Sequence, residues 1–362
     1  MTPTMTHTLR LGALAMAALA MACGKSDAPA PGAATNTAPN PAAARAATLN
    51  GSGSTFQQAA EEVLIEAFAK AQPTIKINYG GGGSGKGRQD LADLVTDFAG
   101  TDSAFKDADL AKVKGGELLY FPILLGPITV SYHLDGVDAL QLSPVTIAKI
   151  FQRDITKWND AAIAADNPGV TLPDTAIVVA HRADGSGTTD NFTRFLATNP
   201  ASKDVWRLKS GSTVEWPADT QAGQGNGGVA QIVKSTAGAI GYVDLSDAKA
   251  SGLKFAAVQN AAGKFVVAST AGASAAGDGI AVQDNLVFSA LNGAGEATYP
   301  ITCQTWIVTY AKPADKAKAA ALKAYLRFIL TDGQKLLPEI DFAPLPKSLQ
   351  DRALAQLDKL QG

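Results

Sequence analysis

The stretch His181-Arg182-Ala183-Asp184-Gly185-Ser186-Gly187-Thr188-Thr189 puts a guanidinium, a carboxylate and several hydroxyls around two glycines. The β-branched run 176–180 precedes it and a helical pattern, 190–198, follows. Strand, tight turn, helix is an order that suits an oxyanion. The first N–H groups of a helix lack intrahelical partners and lie at the positive end of its dipole. Ser186, Thr188 and Thr189 add donors, and Gly185 and Gly187 let the backbone approach closely. Arg182 offers a planar fork for two parallel bonds, which Asp184 could hold in place.

A capped helix start with a surface Arg–Asp pair could carry the same letters, so the rest of the chain has to decide. A similar device recurs. Ala47 to Asn50 reads as a strand, Gly51-Ser52-Gly53-Ser54 as a turn, and Thr55 to Ala71 as a helix with Ala60, Val63, Leu64 and Phe68 on one face. The strand Ile75 to Tyr79 leads into Gly80-Gly81-Gly82-Gly83-Ser84-Gly85-Lys86-Gly87 and a helical pattern from Arg88. Asp97-Phe98-Ala99-Gly100-Thr101-Asp102 makes a further junction. In a parallel sheet such loops gather at the carboxyl edge, where ligands bind.

Positioning these turns takes an α/β chain. The 362 residues fit two domains, and 46% hydrophobic residues with 35 glycines suit filled cores joined by tight turns. A net charge of −2 suggests neither nucleic acid nor an anionic membrane as partner. The runs 118–125 and 128–132 flank Gly126-Pro127. Gly223 to Gly228 opens a helix 229–236 before a strand 239–243. A last strand, 302–310, precedes helical patterns at 314–330, 331–337 and 349–360. The expected division is domain I at 48–125 plus 297–362 and domain II at 126–296, with hinge crossings near 124–127 and 297–301.

Residues 1–22 read as an export signal: Arg10, an apolar stretch Leu11 to Met21, and the small-x-small site Ala20-Met21-Ala22. Cys23 follows directly and resembles the acylated cysteine of bacterial lipoproteins, although Ala20 stands where a lipobox has Leu. Simple secretion without a lipid is the alternative. Residues 23–47, rich in Ala and Pro, read as a disordered tether. Cys303 is the other cysteine, in an apolar strand, and reads as a buried inert thiol.

Several motifs mislead. Gly80 to Lys86 spells most of a nucleotide-binding phosphate loop, yet Gly87 stands where a magnesium-binding Ser or Thr belongs. Beyond the signal the histidines are His133 and His181, no Gly-x-Ser-x-Gly elbow surrounds Ser84 or Ser186, and Arg182 would discourage a proton on His181. Trp206, Trp216 and Trp306 read as packing groups, and Lys106, Lys112, Lys114, Asp107 and Asp109 as a solvated helix face.

Taken together, Gly51-Ser52-Gly53-Ser54-Thr55-Phe56, the run Gly80 to Gly85, Asp97 to Asp102 and Arg182 to Thr188 resemble the phosphate-binding protein of the bacterial ABC phosphate importer. Gly211-Ser212-Thr213-Val214-Glu215-Trp216-Pro217, Gly225 to Val229, Gly238 to Val243 and Tyr299-Pro300-Ile301 extend the resemblance over about 48–360. It implies a hinged, two-domain periplasmic-binding-protein fold of type II, with a mixed sheet flanked by helices in each domain. Inorganic phosphate would lie in the cleft between them, to be delivered to an inner-membrane ABC permease. The protein would be a monomeric, non-catalytic periplasmic receptor without cofactor or metal. Carried over by position, the phosphate contacts are Ser54, Thr55, Phe56, Ser84, Asp102, Arg182, Ser186, Gly187 and Thr188, with Asp184 restraining Arg182. Gly80, Gly82 and Lys86 depart from the family pattern.

Asp102 sets the ligand. A buried carboxylate would repel an anion unless the anion brings a proton, as phosphate does near neutral pH and sulfate does not. The competing readings are a receptor for another oxyanion, sulfate or molybdate, and a secreted phosphatase, for which no metal cluster or activated nucleophile is present in the sequence.

Overall fold

In the computed structural model, residues 46–361 are described. The export signal, Cys23 and most of the tether lie outside the described residues. Ala47, expected as the last residue of the tether, instead pairs with Ile75 in the first strand. β-Branched and aromatic runs between glycine turns form the strands β1 (Ala47–Gly53), β2 (Ile75–Gly80), β3 (Phe98–Thr101), β4 (Leu118–Tyr132), β5 (Gln141–Leu142) and β6 (Val178–Arg182). Then follow β7 (Gln221–Gly223), β8 (Ala239–Asp244), β9 (Lys254–Phe255), β10 (Ala257–Gln259), β11 (Phe265–Val266) and β12 (Thr302–Tyr310).

The main sheet runs β2-β1-β3-β12-β4-β8-β6-β7, with β9 also on β4. β1 is parallel to β2 and β3, and β6 is parallel to β7 and β8. These two parallel groups deliver their carboxyl-end turns toward each other. β12 and β4, antiparallel, stand between them. A small sheet, β11-β10-β5, lies apart.

Where the sequence suggests two runs broken at Gly126-Pro127, β4 is continuous through both. Proline is tolerated there because the strand changes partners at that point. β12 pairs with Leu118 to Pro127, and β8 takes over from Ile128 to Tyr132, so the missing N–H of Pro127 falls at the handover. The stretch 297–301, expected as the second crossing, sits alongside: Ile128 N donates to Ile301 O at 2.9 Å and Tyr299 Oη to Ile128 O at 2.8 Å.

Helices cover the sheet. In Gln58–Ala71, Ala60, Leu64 and Phe68 repeat every four residues on the buried face, and Phe68 packs on Tyr325 of the helix Lys316–Ile329 at 5.1 Å between ring centroids. Val63, expected on that face, is only half-buried, whereas Glu61 is fully buried on it. The helix expected from Arg88 begins at Ser84 and the one expected from Asp190 at Gly187, so both glycine turns end directly in a helix. The third junction differs: β3 leads into a loop and the four-residue helix Asp107–Leu110, too short to be the solvated helical face expected there. The stretch 331–337 forms single 3-10 turns, Asp332–Lys335 and Leu337–Ile340.

Cys303 is buried, and burial pushes its thiol well above the ordinary range. Trp306 is buried, Trp206 is nearly so, and Trp216 stacks on His181 at 5.0 Å. His181 is held below its ordinary pKa, but burial is the leading cause rather than the neighbouring guanidinium.

Candidate anion-binding site

The four turns meet at one place. Gly85 N donates to Gly185 O at 2.7 Å, and Gly83 N donates to Gly53 O at 2.9 Å. Glycine is required at two of these approaches. A Cβ on Gly187 would lie 2.5 Å from Ser84 Oγ and 2.6 Å from Asp102 Oδ2, and one on Gly83, at φ 92°, would lie 2.1 Å from Asp184 Oδ2.

Asp102, just past β3, is 1% exposed. Ser54 donates to its Oδ1 and Oδ2 at 2.6 and 2.7 Å, Thr305 to Oδ1 at 2.7 Å and Ser84 to Oδ2 at 3.2 Å. Its carbonyl accepts from Asn191 at 2.7 Å and Gln304 at 3.2 Å, which fixes the loop from behind. Burial pushes the carboxyl above the usual carboxylate range, opposed by the three hydroxyls and by the charge of Arg182. Every direct partner of the carboxylate is a hydroxyl, so the cation that could neutralise it stands off rather than pairing with it.

Arg182, 4% exposed, ends β6. Its Nε donates to Asp184 Oδ1 at 2.8 Å, Nη2 bonds Asp184 Oδ2, and Nη1 reaches Thr188 Oγ1 at 3.3 Å. A guanidinium has five N–H groups, so one on each terminal nitrogen remains for a ligand. Asp184 also accepts from Gly225 N at 3.0 Å, tying this turn to the glycine-rich 223–228 segment.

Ser186 is the N-cap of the helix Gly187–Thr198, accepting from Thr189 N at 3.0 Å. The amides of Gly187 and Thr188 come before the helical ladder begins, beside Asp102 and Ser84. Thr189 bonds Tyr242 Oη at 2.7 Å and so braces the turn rather than lining it; burial pushes that phenol to about 12.

Thr55 Oγ1 accepts from the backbone and side chain of Asn226 at 3.2 and 3.3 Å, and Asn226 also reaches Thr188. Phe56 is buried against Phe342, and its amide donates to Ser54 Oγ at 3.0 Å. Lys86 points away, paired with Asp90 at 2.6 Å. Thus Ser54, Ser84, Asp102, Arg182, Gly187 and Thr188 come together, with Thr55 and Ser186 at the edge and Phe56 packed beneath.

Sequence reasoning passed over Thr305, Asn226, Asn191, Gln304 and Gln57. The glycines around Asn226 were a usable signal. Thr305 carried none, because it sits in an apolar strand.

Residues 38–333 match the model of a PBP superfamily domain. Phosphate-binding protein PstS of Xylella fastidiosa is 38% identical over 282 residues, covering 76% of this chain and 75% of that protein. Phosphate-binding protein PstS 3 of Mycobacterium leprae is 34% identical over 357 residues, covering 94% and 95%. The chain belongs to the PstS family of phosphate-binding proteins.

Solved structures agree on the fold. A high-affinity periplasmic phosphate-binding protein solved with phosphate is 22% identical, with a TM-score of 0.70 over 85% of this chain and 93% of that one. The phosphate-binding protein of Stenotrophomonas maltophilia is 20% identical, with a TM-score of 0.67 over the same shares, 85% and 93%. The architecture is therefore the α/β periplasmic-binding-protein fold shared with these phosphate-binding proteins. Among the described residues, no helix is long and apolar enough to cross a membrane, and no group of three or more His, Cys, Asp or Glu could hold a metal.

Proposed function

We propose that this protein captures inorganic phosphate outside the inner membrane and hands it to an ABC permease, without catalysis. The observation that carries the reading is the pairing of opposites in one buried site. Asp102, held by Ser54, Ser84 and Thr305, faces a guanidinium that keeps two donors after Asp184 and Thr188 are served.

The anion would take the two N–H groups of Arg182, the amides of Gly187 and Thr188, and the hydroxyl of Thr188; Ser54 and Ser84 each have one hydroxyl proton and would turn it from Asp102 to the anion. Asp102 accepts the ligand's own O–H. A monobasic or dibasic phosphate has that proton. Sulfate has none and would set lone pairs against a buried carboxylate, an arrangement that costs about 3–5 kcal/mol for an unpaired buried charge, or several decades of affinity.

Two lobes, 48–125 plus 297–362 and 126–296, closing at 124–127 and 297–301, fit this role. What supports them is the partner change of β4 at Pro127–Ile128 and the Ile128–Ile301 bond beside it. Ser54, Ser84 and Asp102 would come from one lobe, Arg182 to Thr188 from the other. The export signal read at 1–22 supports a periplasmic receptor, proposed here as a monomer held by a lipid on Cys23. Calorimetric titration tests the reading: one phosphate bound per chain, with no turnover of a phosphate ester, supports a receptor. Turnover would make it an enzyme, and absence of phosphate heat would remove phosphate as the ligand.

A further inference from the structure

Behind the site a line of buried polar side chains runs from Asp102 into the core. Thr305 Oγ1 lies 2.7 Å from Asp102 Oδ1 and 2.5 Å from Gln57 Oε1. Gln57 Nε2 lies 3.1 Å from Glu61 Oε1, and Tyr325 donates to Glu61 Oε2 at 2.6 Å. Gln57, Glu61, Thr305 and Tyr325 are each 0% exposed.

Thr305 has one proton and three acceptors within reach, Gln57 Oε1, Asp102 Oδ1 and, farther off at 3.2 Å, the carbonyl of Thr101, so it cannot serve both nearer ones at once. An amide exchanges oxygen for nitrogen by a half-turn, which leaves two self-consistent directions for the chain. In the first, Glu61 is ionised, Gln57 donates to it, Thr305 donates to Gln57, and a lone pair of Thr305 opposes Asp102 Oδ1. That opposition is relieved if Asp102 takes up a proton. In the second, Glu61 carries the proton and donates to Gln57, the turned amide donates to Thr305, and Thr305 donates to Asp102. Asp102 is then an ionised acceptor, the form a ligand O–H requires.

We propose that Glu61 is a positioning residue for phosphate capture: by carrying a proton it directs the hydrogen bonds of Gln57 and Thr305 toward Asp102 and keeps that carboxylate an acceptor. The proposal rests on the phosphate-receptor reading of the site.

Burial brings the Glu61 carboxyl up to about 7, against the lowering pull of Tyr325 and Gln57. The titratable groups facing it are Tyr325, from the helix Lys316–Ile329, and Tyr79, from β2, which also lies against the Gln57 amide and donates to Ser54 O at 2.9 Å. Both phenols are pushed well above their ordinary range by burial and stay neutral. Facing Asp102, the charged groups are Arg182 and Arg88. Of Glu61 and the two phenols, it is therefore Glu61 that loses its proton near neutral pH.

The test is calorimetric titration with inorganic phosphate from about pH 6 to about pH 8.5 at fixed ionic strength, on the parent, Glu61→Gln and Thr305→Val. The ligand's own ionisation affects all three alike, so ratios between them isolate the protein. The parent is expected to weaken by an additional factor of about ten to thirty across that range, following the loss of one proton with a pKa near 7. Glu61→Gln, whose amide can donate at every pH, should lack that extra factor. Thr305→Val, weaker throughout, should also lack it, and it keeps the proposal open to test if Glu61→Gln does not fold. Identical pH profiles in the parent and a folded, phosphate-binding Glu61→Gln variant would overturn the role of Glu61 alone. Absence of phosphate heat in the parent would overturn the receptor reading beneath it.

Discussion

Arg182 has five N–H groups, and the protein occupies three of them itself: two with Asp184 and one with Thr188. What remains is a fixed, two-pronged donor whose orientation is set before any ligand arrives. Hydrogen bonds to a charged group contribute about 1.5–3 kcal/mol each. Arg182→Ala should therefore weaken phosphate by at least about a hundredfold, read by calorimetry; a loss within about threefold would remove Arg182 from the contacts. Asp184→Asn should be milder, because the guanidinium stays but loses its charged anchor.

At the scale of elements, the site depends on how closely the helix Gly187–Thr198 approaches the end of β3. Gly187 permits that approach through the absence of a side chain, since a Cβ would press on Ser84 Oγ and Asp102. Gly187→Ala should force the turn outward, costing about 1–3 kcal/mol in stability as an overpacked contact. Phosphate affinity should fall at least tenfold, which thermal melts and titrations would report together. A normal affinity would mean that the turns do not meet in solution as they do here.

These elements were also where the sequence could be read best. Glycine, serine and threonine at strand ends announce a turn whatever surrounds it, so Ser54, Ser84 and Arg182 to Thr188 stood out. Thr305 and Glu61 did not. Thr305 lies in the middle of an apolar strand, and Glu61 looks like one more polar residue on an exposed helix face. Its burial depends on Tyr325, 264 positions away, which no local pattern reveals. The break expected at Gly126-Pro127 failed for a similar reason, because it is the change of partner strand that lets proline sit inside β4.

For the whole molecule, buried acids set the pH dependence of stability. Glu61 rises from 4.5 to about 7 on folding, so between those values the folded chain holds a proton that the unfolded chain has lost. Stability from this group is full below about 4.5 and is lost as the pH rises through about 7, a change on the order of 3 kcal/mol at most. Asp102, Asp244 and Asp247 shift in the same direction, so the difference between the parent and Glu61→Gln isolates residue 61. Chemical denaturation at a series of pH values should show a shallower decline in the variant; equal slopes would mean that Glu61 is ionised in the folded protein throughout.

Ligand selection ties these scales together, and one measurement reaches it directly: the ratio of phosphate to sulfate affinity in the parent and in Asp102→Asn, at neutral pH and with bound anion removed beforehand. An amide can donate to sulfate where a carboxylate cannot. The ratio should be large in the parent and shrink at least tenfold in Asp102→Asn. An unchanged ratio, with both proteins folded and binding phosphate, would contradict the assignment of Asp102 as the group that chooses a protonated anion.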